Sequence, residues 1–231
     1  MPFLFDPLYL LFALPGLLLA MWAQLKVRGA FSRYAQIPTS RGASGLDAAK
    51  ILIRHNNLGH VGIQGTPGEL TDHYDPRTKS IYLSDSSVHN SVASVAIVAH
   101  ELGHAEQDAQ GYAPLKLRGA IVPAVTVGSW VGPVLFMVGL LFQSPQLAWV
   151  GVIAFALTAA FTLVTLPVEF DASRRALRML QSSYILVGDE LNGARKVLDA
   201  AAWTYVAAAL QSILTLLYYV TLLTGMQRSE E

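Results

Sequence analysis

The sequence predicts a mainly α-helical membrane protein, with four transmembrane helices and a small α+β unit outside the bilayer. Three observations carry this. Charged residues make up only 14% of the 231 residues and apolar residues 53%, against roughly 25% charged in an ordinary soluble domain. Four apolar stretches approach or exceed the roughly 20 helical residues that cross about 30 Å of hydrocarbon. Nearly all the basic residues fall in the two polar segments between them. The formal net charge is zero, so no basic excess argues for nucleic acid as a partner. The chain has no cysteine, which excludes disulfides, thiolate ligation of a metal and cysteine nucleophiles.

The first apolar stretch runs from about Leu8 to Ala23, with Asp6 the one charge near it. No basic residue precedes it, and Lys26, Arg28 and Arg33 follow it. That is the pattern of an uncleaved anchor rather than of a signal peptide, so residues 1–25 are expected to form the first span. Residues 26–118 are polar. The second and third stretches, Ala120–Phe142 and Leu147–Leu166, contain no charge and make a helical hairpin over residues 119–166. Gly132 with Pro123 and Pro133 fits there, because neighbouring membrane helices can satisfy freed backbone groups. Residues 167–199 are polar again, and Ala200–Leu223 forms the last span of the segment 200–231.

Orientation follows from the cations. The two polar segments hold fifteen of the sixteen Lys and Arg residues, leaving Arg228 alone on the other side. Lys26, Arg28, Arg33, Lys116, Arg118, Arg174, Arg175 and Arg178 lie close enough to a span to count in the positive-inside rule. Both polar segments are therefore expected in the cytoplasm, with the termini and the turn Gln143–Gln146 outside.

Within residues 26–118, Ser44 and Asp47 form a capping signal ahead of Leu46, Ala49 and Ile53, which repeat at helical spacing. This predicts a helix over 45–56. A short strand near Val61–Gln64 precedes Gly65-Thr-Pro-Gly68. Leu70–Tyr74 and Ser80–Leu83 read as two strands joined by the turn Asp75-Pro-Arg-Thr78. A second helix is expected from Asn90 or Ser91 to about Gln110, where Gly111 and Pro114 end it.

That second helix contains His100-Glu-Leu-Gly-His104. Histidines four apart share one helix face, so both imidazoles can reach a single ion. Zinc accepts imidazole and carboxylate ligands, and a catalytic zinc keeps a position for water. Glu101 sits on the rim of the same face, where it can take a proton from that water. Gly103 leaves room for a partner to approach the helix. A third protein ligand is still needed. The other histidines, His55, His60, His73 and His89, all lie upstream, and a glutamate serves equally well. Pro167-Val-Glu169-Phe-Asp171-Ala-Ser173 begins where the third span ends, and two spans separate it from His104. An even number returns Glu169 to the same side of the membrane, although an acidic residue there also fits a simple interfacial role.

Four motifs in order carry a resemblance: Leu70-Thr-Asp-His-Tyr-Asp-Pro76, Val98-Ala-His-Glu-Leu-Gly-His-Ala-Glu-Gln107, Pro167-Val-Glu-Phe-Asp-Ala-Ser173 and Asn192-Gly-Ala-Arg-Lys-Val-Leu198. Across nearly its whole length the chain resembles the YugP-like bacterial membrane zinc metallopeptidases. That family is similar in turn to HtpX-type and CAAX-prenyl-type endopeptidases. The resemblance implies a zincin-like unit with Zn2+ held by His100, His104 and Glu169, Glu101 as the base, and a bacterial cytoplasmic membrane. One departure concerns the HtpX-type pattern, which places an Asp four residues after the ligand Glu to hold a ligand His. Here Ser173 stands at that position and Asp171 two residues earlier, with Asp108 a further candidate for the role.

The expected activity is hydrolysis of membrane proteins or peptides near the cytoplasmic face. A catalytically inactive metal-binding scaffold or regulator is the alternative, but a purely structural site has no use for Glu101. A transporter fits poorly with uncharged spans. His73 could stabilise charge on a substrate or belong to a polar turn. Arg174 and Arg175 could do the same or serve as interfacial anchors. For the orientation, a cysteine placed at Ser182 should be shielded from an impermeant thiol reagent in intact cells, and one at Ser144 labelled. The reverse labelling overturns the topology.

Overall fold

The computed structural model describes residues 7–228. In chain order it comprises α1 (Pro7–Tyr34), α2 (Gly45–His55), β1 (Gly62–Gly65), β2 (His73–Asp75), β3 (Ser80–Leu83), α3 (Val92–Ala109), α4 (Ala113–Leu141), α5 (Pro145–Ser183) and α6 (Asp189–Arg228). A short 3-10 turn, Asp85–Val88, precedes α3. The fold is mainly α-helical with one small sheet. Among the described residues, α1, α4, α5 and α6 are long and apolar enough to cross a membrane. By packing the chain divides into two units. One takes the residues up to Trp22, Leu117–Leu166 and those from Thr204 onward; the other takes Ala23–Lys116 and Pro167–Trp203.

The first unit consists of the apolar parts of the four long helices. Leu11, Val127, Trp130 and Leu141 expose their side chains, which suits a lipid solvent and not water. Helix contacts rely on small residues, since lipid gives no hydrophobic drive for association. A side chain at Gly128 would press on the Ala154 carbonyl, and one at Gly139 would come within 2.8 Å of the Ala148 side chain. Phe136, Ala148, Val152 and Leu223 form its buried core, and Phe136 stacks on Tyr219 at 3.9 Å between ring centroids. Hydroxyls are returned to the helix backbone, as Thr126 donates to Val122 O and Thr165 to Phe161 O. Thr162 Oγ1 and Ser212 Oγ meet across α5 and α6 at 2.8 Å.

The second unit is built like a soluble domain. Helix α2 starts in the expected capping box: Ser44 Oγ accepts from Asp47 N, and the Asp47 carboxylate accepts from Ser44 N. The sheet order is β1-β3-β2, with β1 parallel to β3 and β2 antiparallel to it. Its central strand buries Ile81 and Leu83. Helix α3 is the axis of the core, and Val92, Val95, Ala96, Val98, Ala99 and Leu102 are fully buried. Around it pack Leu52 and Ile53 of α2, Met179 and Leu180 of α5, and Ala194 and Leu198 of α6.

Two features depart from the expected elements. Strand β2 begins at His73, not Leu70. Leu70 has φ 56°, and the Asp72 carboxylate accepts from Ser84 N at 2.9 Å and from Ser84 Oγ at 2.6 Å. The segment before His73 is thus held as a loop. The second departure is length. Helix α5 has 39 residues, about 58 Å at 1.5 Å per residue, roughly twice the thickness of a hydrocarbon core. Apolar span and polar segment are one continuous helix, and Glu169 projects from its second half.

Candidate metal centre

Helix α3 is started by Ser91, whose Oγ accepts from Ser94 N at 3.1 Å. It carries His100 and His104 one turn apart, with their rings 4.8 Å between centroids. Helix α5 supplies Glu169. Its Oε2 lies 3.2 Å from His100 Nε2 and 3.6 Å from His104 Nε2. Tetrahedral zinc with bonds of about 2.0–2.1 Å sets its donor atoms about 3.3 Å apart, which the two distances from Glu169 approach, and all three donors lie within 4.8 Å of one another. Glu169 is 2% exposed and His104 8%. Beside them, Glu101 is partly exposed as a residue while its carboxyl is buried, and its Oε2 accepts from the backbone N of Tyr74 in β2 at 2.9 Å. The donor set of two imidazoles and one carboxylate, with a second carboxylate close by but outside the trio, suits zinc.

This geometry depends on how closely the two helices approach. A Cβ built on Gly103 would overlap the Ala172 carbonyl and lie 3.0 Å from its carbon. The room that Gly103 leaves is therefore filled by the backbone of α5, one turn after Glu169.

A family model described as "Putative neutral zinc metallopeptidase" matches residues 9–224. The chain belongs to that family. This zinc metallopeptidase is also 40% identical over 214 residues to "Putative membrane protease YugP" of Bacillus subtilis (strain 168), covering 92% of this chain and 95% of that protein. No solved structure matches it.

The electrostatics follow from burial and close pairing. Burial pushes the Glu101 carboxyl above its ordinary range, and the neighbouring His100 and His104 pull the other way without cancelling it. Burial pulls the His104 imidazole down, but the carboxylates of Glu169, 3.6 Å away, and of Glu101 outweigh it and leave it raised. For Glu169, burial opposes the charge while the two histidine rings beside it, at 3.2 and 3.6 Å, hold the carboxyl well below its usual range.

The far sides of the two rings have separate partners. His100 Nδ1 lies 3.2 Å from Ser173 Oγ, and His104 Nδ1 lies 3.0 Å from Gln107 Oε1. Ser173 is thus the one of the three candidates that meets a ligand ring. Asp171 touches neither ring; it accepts from Gln107 Nε2 at 3.0 Å and pairs with Arg175. Asp108 accepts from Tyr74 Oη and Lys79 Nζ, both at 2.6 Å. His73 is exposed, with Nδ1 2.9 Å from Thr71 O and its ring stacked on Tyr82. Arg175 departs from its expected role as an interfacial anchor. It is 8% exposed, bonds Asp171 and Gln110, lies 3.4 Å from Glu106 and faces the ring of Tyr112. Arg174 keeps an exposed side chain, 3.5 Å from Asp171.

Gln107 is the residue that sequence reasoning missed. It is fully buried, and the signal was its place three residues after His104, on the same helix face. The close approach at Gly103 generates a prediction. Gly103→Ala forces α3 and α5 apart at the level of the ligands, at a cost of about 1–3 kcal/mol. It should lower the thermal midpoint of the detergent-solubilised protein and its zinc content together. Parental values for both would show that the contact does not position the ligands.

Proposed function

We propose that this metallopeptidase is an endopeptidase that hydrolyses membrane proteins or peptides near the cytoplasmic face of a bacterial inner membrane. In this reading, residues 26–118 and 167–199 form the zincin-like catalytic part, and the spans anchor it. His100 Nε2, His104 Nε2 and the Glu169 carboxylate hold the zinc, in a His₂Glu arrangement of the gluzincin type. The observation that carries it is the convergence of these three donors, at 3.2 and 3.6 Å, from two segments far apart in sequence. The name of the Bacillus relative supports a protease at a membrane. The asymmetry of the basic residues supports the cytoplasmic side.

When bound there, zinc acts as a Lewis acid and brings the pKa of a coordinated water towards about 7. Glu101 supplies the proton transfers. Its carboxylate takes a proton from the attacking water and gives it to the nitrogen of the departing amine. Until substrate arrives, the Tyr74 N–H holds Oε2 of Glu101 by a 2.9 Å hydrogen bond, so the base is kept in one orientation. Glu169 stays a ligand throughout and moves no proton.

Two variants separate these roles. Glu101→Gln should abolish cleavage of casein or a membrane-protein substrate while leaving zinc stoichiometry near that of the parent. Parental activity in that variant would sink the mechanism. Glu169→Ala should lower zinc affinity by orders of magnitude, because the ion loses one of three protein bonds and a negative charge. Asp171→Ala should cost on the order of 10–100-fold. Competition with a chromophoric chelator measures both, and the reverse ranking would make Asp171 the third ligand.

A further inference from the structure

We infer that Gln107 is the positioning residue for His104: its amide transmits the hydrogen-bonding demand of α5 across to the imidazole and fixes the ring with its proton on Nδ1. This rests on the reading of His104 as a zinc ligand.

The argument is one of donor and acceptor counting. Gln107 Nε2 lies 2.8 Å from the Val168 carbonyl oxygen and 3.0 Å from Asp171 Oδ2. A backbone carbonyl accepts and never donates. The Asp171 carboxylate is already paired with Arg175 and lies 3.5 Å from Arg174, so it too accepts. Two acceptors occupy the two hydrogens of the amide nitrogen, which decides which way round the amide stands. Its oxygen is then the atom 3.0 Å from His104 Nδ1. With the amide fixed this way, only a protonated Nδ1 makes a hydrogen bond to that oxygen. Nε2, the nitrogen on the Glu169 side, is left with its lone pair free for a cation.

Every polar group of Gln107 is thereby used, in a position with no exposure to solvent. An unpaired amide there would cost about 1–3 kcal/mol, so the chain of contacts from Arg175 through Asp171 and Gln107 to His104 stands or falls as a unit. His100 has a separate support in Ser173 Oγ, a hydroxyl that can rotate to donate or accept. The two ligand rings are therefore held differently. His104 is fixed by an amide with no freedom left, and His100 by a rotor.

The test uses the full-length protein in detergent, zinc-competition titration, and the visible spectrum of the cobalt-substituted form. Gln107→Met keeps the volume of the side chain and removes its hydrogen bonds. It should weaken zinc binding by about 10–100-fold and change the cobalt spectrum. Gln107→Glu should also weaken binding, by setting a second carboxylate against Asp171. The double variant Gln107→Glu, Asp171→Asn restores a donor facing an acceptor at that contact and still accepts from His104. It should recover part of the affinity lost in Gln107→Glu, since only the Val168 carbonyl then still faces an acceptor, a rescue that loss of packing would not produce. Parental affinity in Gln107→Met, or no recovery in the double variant relative to Gln107→Glu, would overturn the inference. His104→Ala is the control for the reading beneath it. If His104→Ala binds zinc as the parent does, the ligand assignment fails; if it loses zinc while Gln107→Met does not, only the role of Gln107 fails.

Discussion

The approach of α3 to α5 at Gly103 is the constraint on which the centre depends. Two helices with ordinary side chains at their contact pack 8–10 Å apart, and that spacing is set by the side chains between them. Here the contact is made against backbone, since a single Cβ on Gly103 would run into Ala172. His100 and His104 flank this point on one helix, and Glu169 and Ser173 flank it on the other. All the short distances in the centre descend from it: Glu169 to both rings, Ser173 to His100, and Gln107 to the α5 backbone at Val168. The fully buried residues of α3 also pack with α2 and β3, which hold the helix in place.

A polar shell stabilises what the close contact brings together. Arg175 is nearly buried and would be destabilising if unpaired. It has Asp171 on its own helix, Glu106 on α3, Gln110 capping the end of α3 and the ring of Tyr112 beyond. Its charge is thus answered from both helices, and the pairing ties α5 to the last turns of α3 on the far side of Gln107. On the other flank, Asp108 joins Tyr74 of β2 and Lys79. The bond from Tyr74 N to Glu101 and the bond from its phenol to Asp108 fasten β2 along α3 at two points about two turns apart. These contacts give the sheet edge a fixed register on the helix that carries the site.

Much of this was legible in the sequence, for physical reasons that differ from element to element. The spans could be read because little besides a membrane helix combines such length with no charge. The capping box at Ser44 and Asp47 is a local interaction, complete within four residues, and it forms as expected. His100 and His104 share a face by helix periodicity alone. The beginning of β2 could not be read, because what shortens it is a contact between Asp72 and Ser84 across the loop. Arg175 looked like an interfacial cation for the same reason: its chemistry suits the membrane boundary, and only the packing of α5 on α3 shows its partners. Gln107 stood in plain view beside His104, but glutamine is common on helix surfaces. Its burial follows from the Gly103 contact, where the sequence shows room for a partner but not that α5 fills it.

The charges of the centre show why burial and a cation belong together here. Glu169 and Glu101 are both carboxylates beside two imidazoles, and the charge of Glu169 raises the cost of ionising Glu101. In water such a pair would be screened, but a buried one is screened little. The neighbouring histidines hold Glu169 ionised, while burial works against the charge on Glu101. Two carboxylates with two neutral imidazoles carry a formal charge of minus two, which a divalent cation balances. A bound cation is often the largest local charge and reverses the local pKa logic. The same burial that disfavours an anionic Glu101 in a cation-free site therefore strengthens its attraction to a cation held by its neighbours.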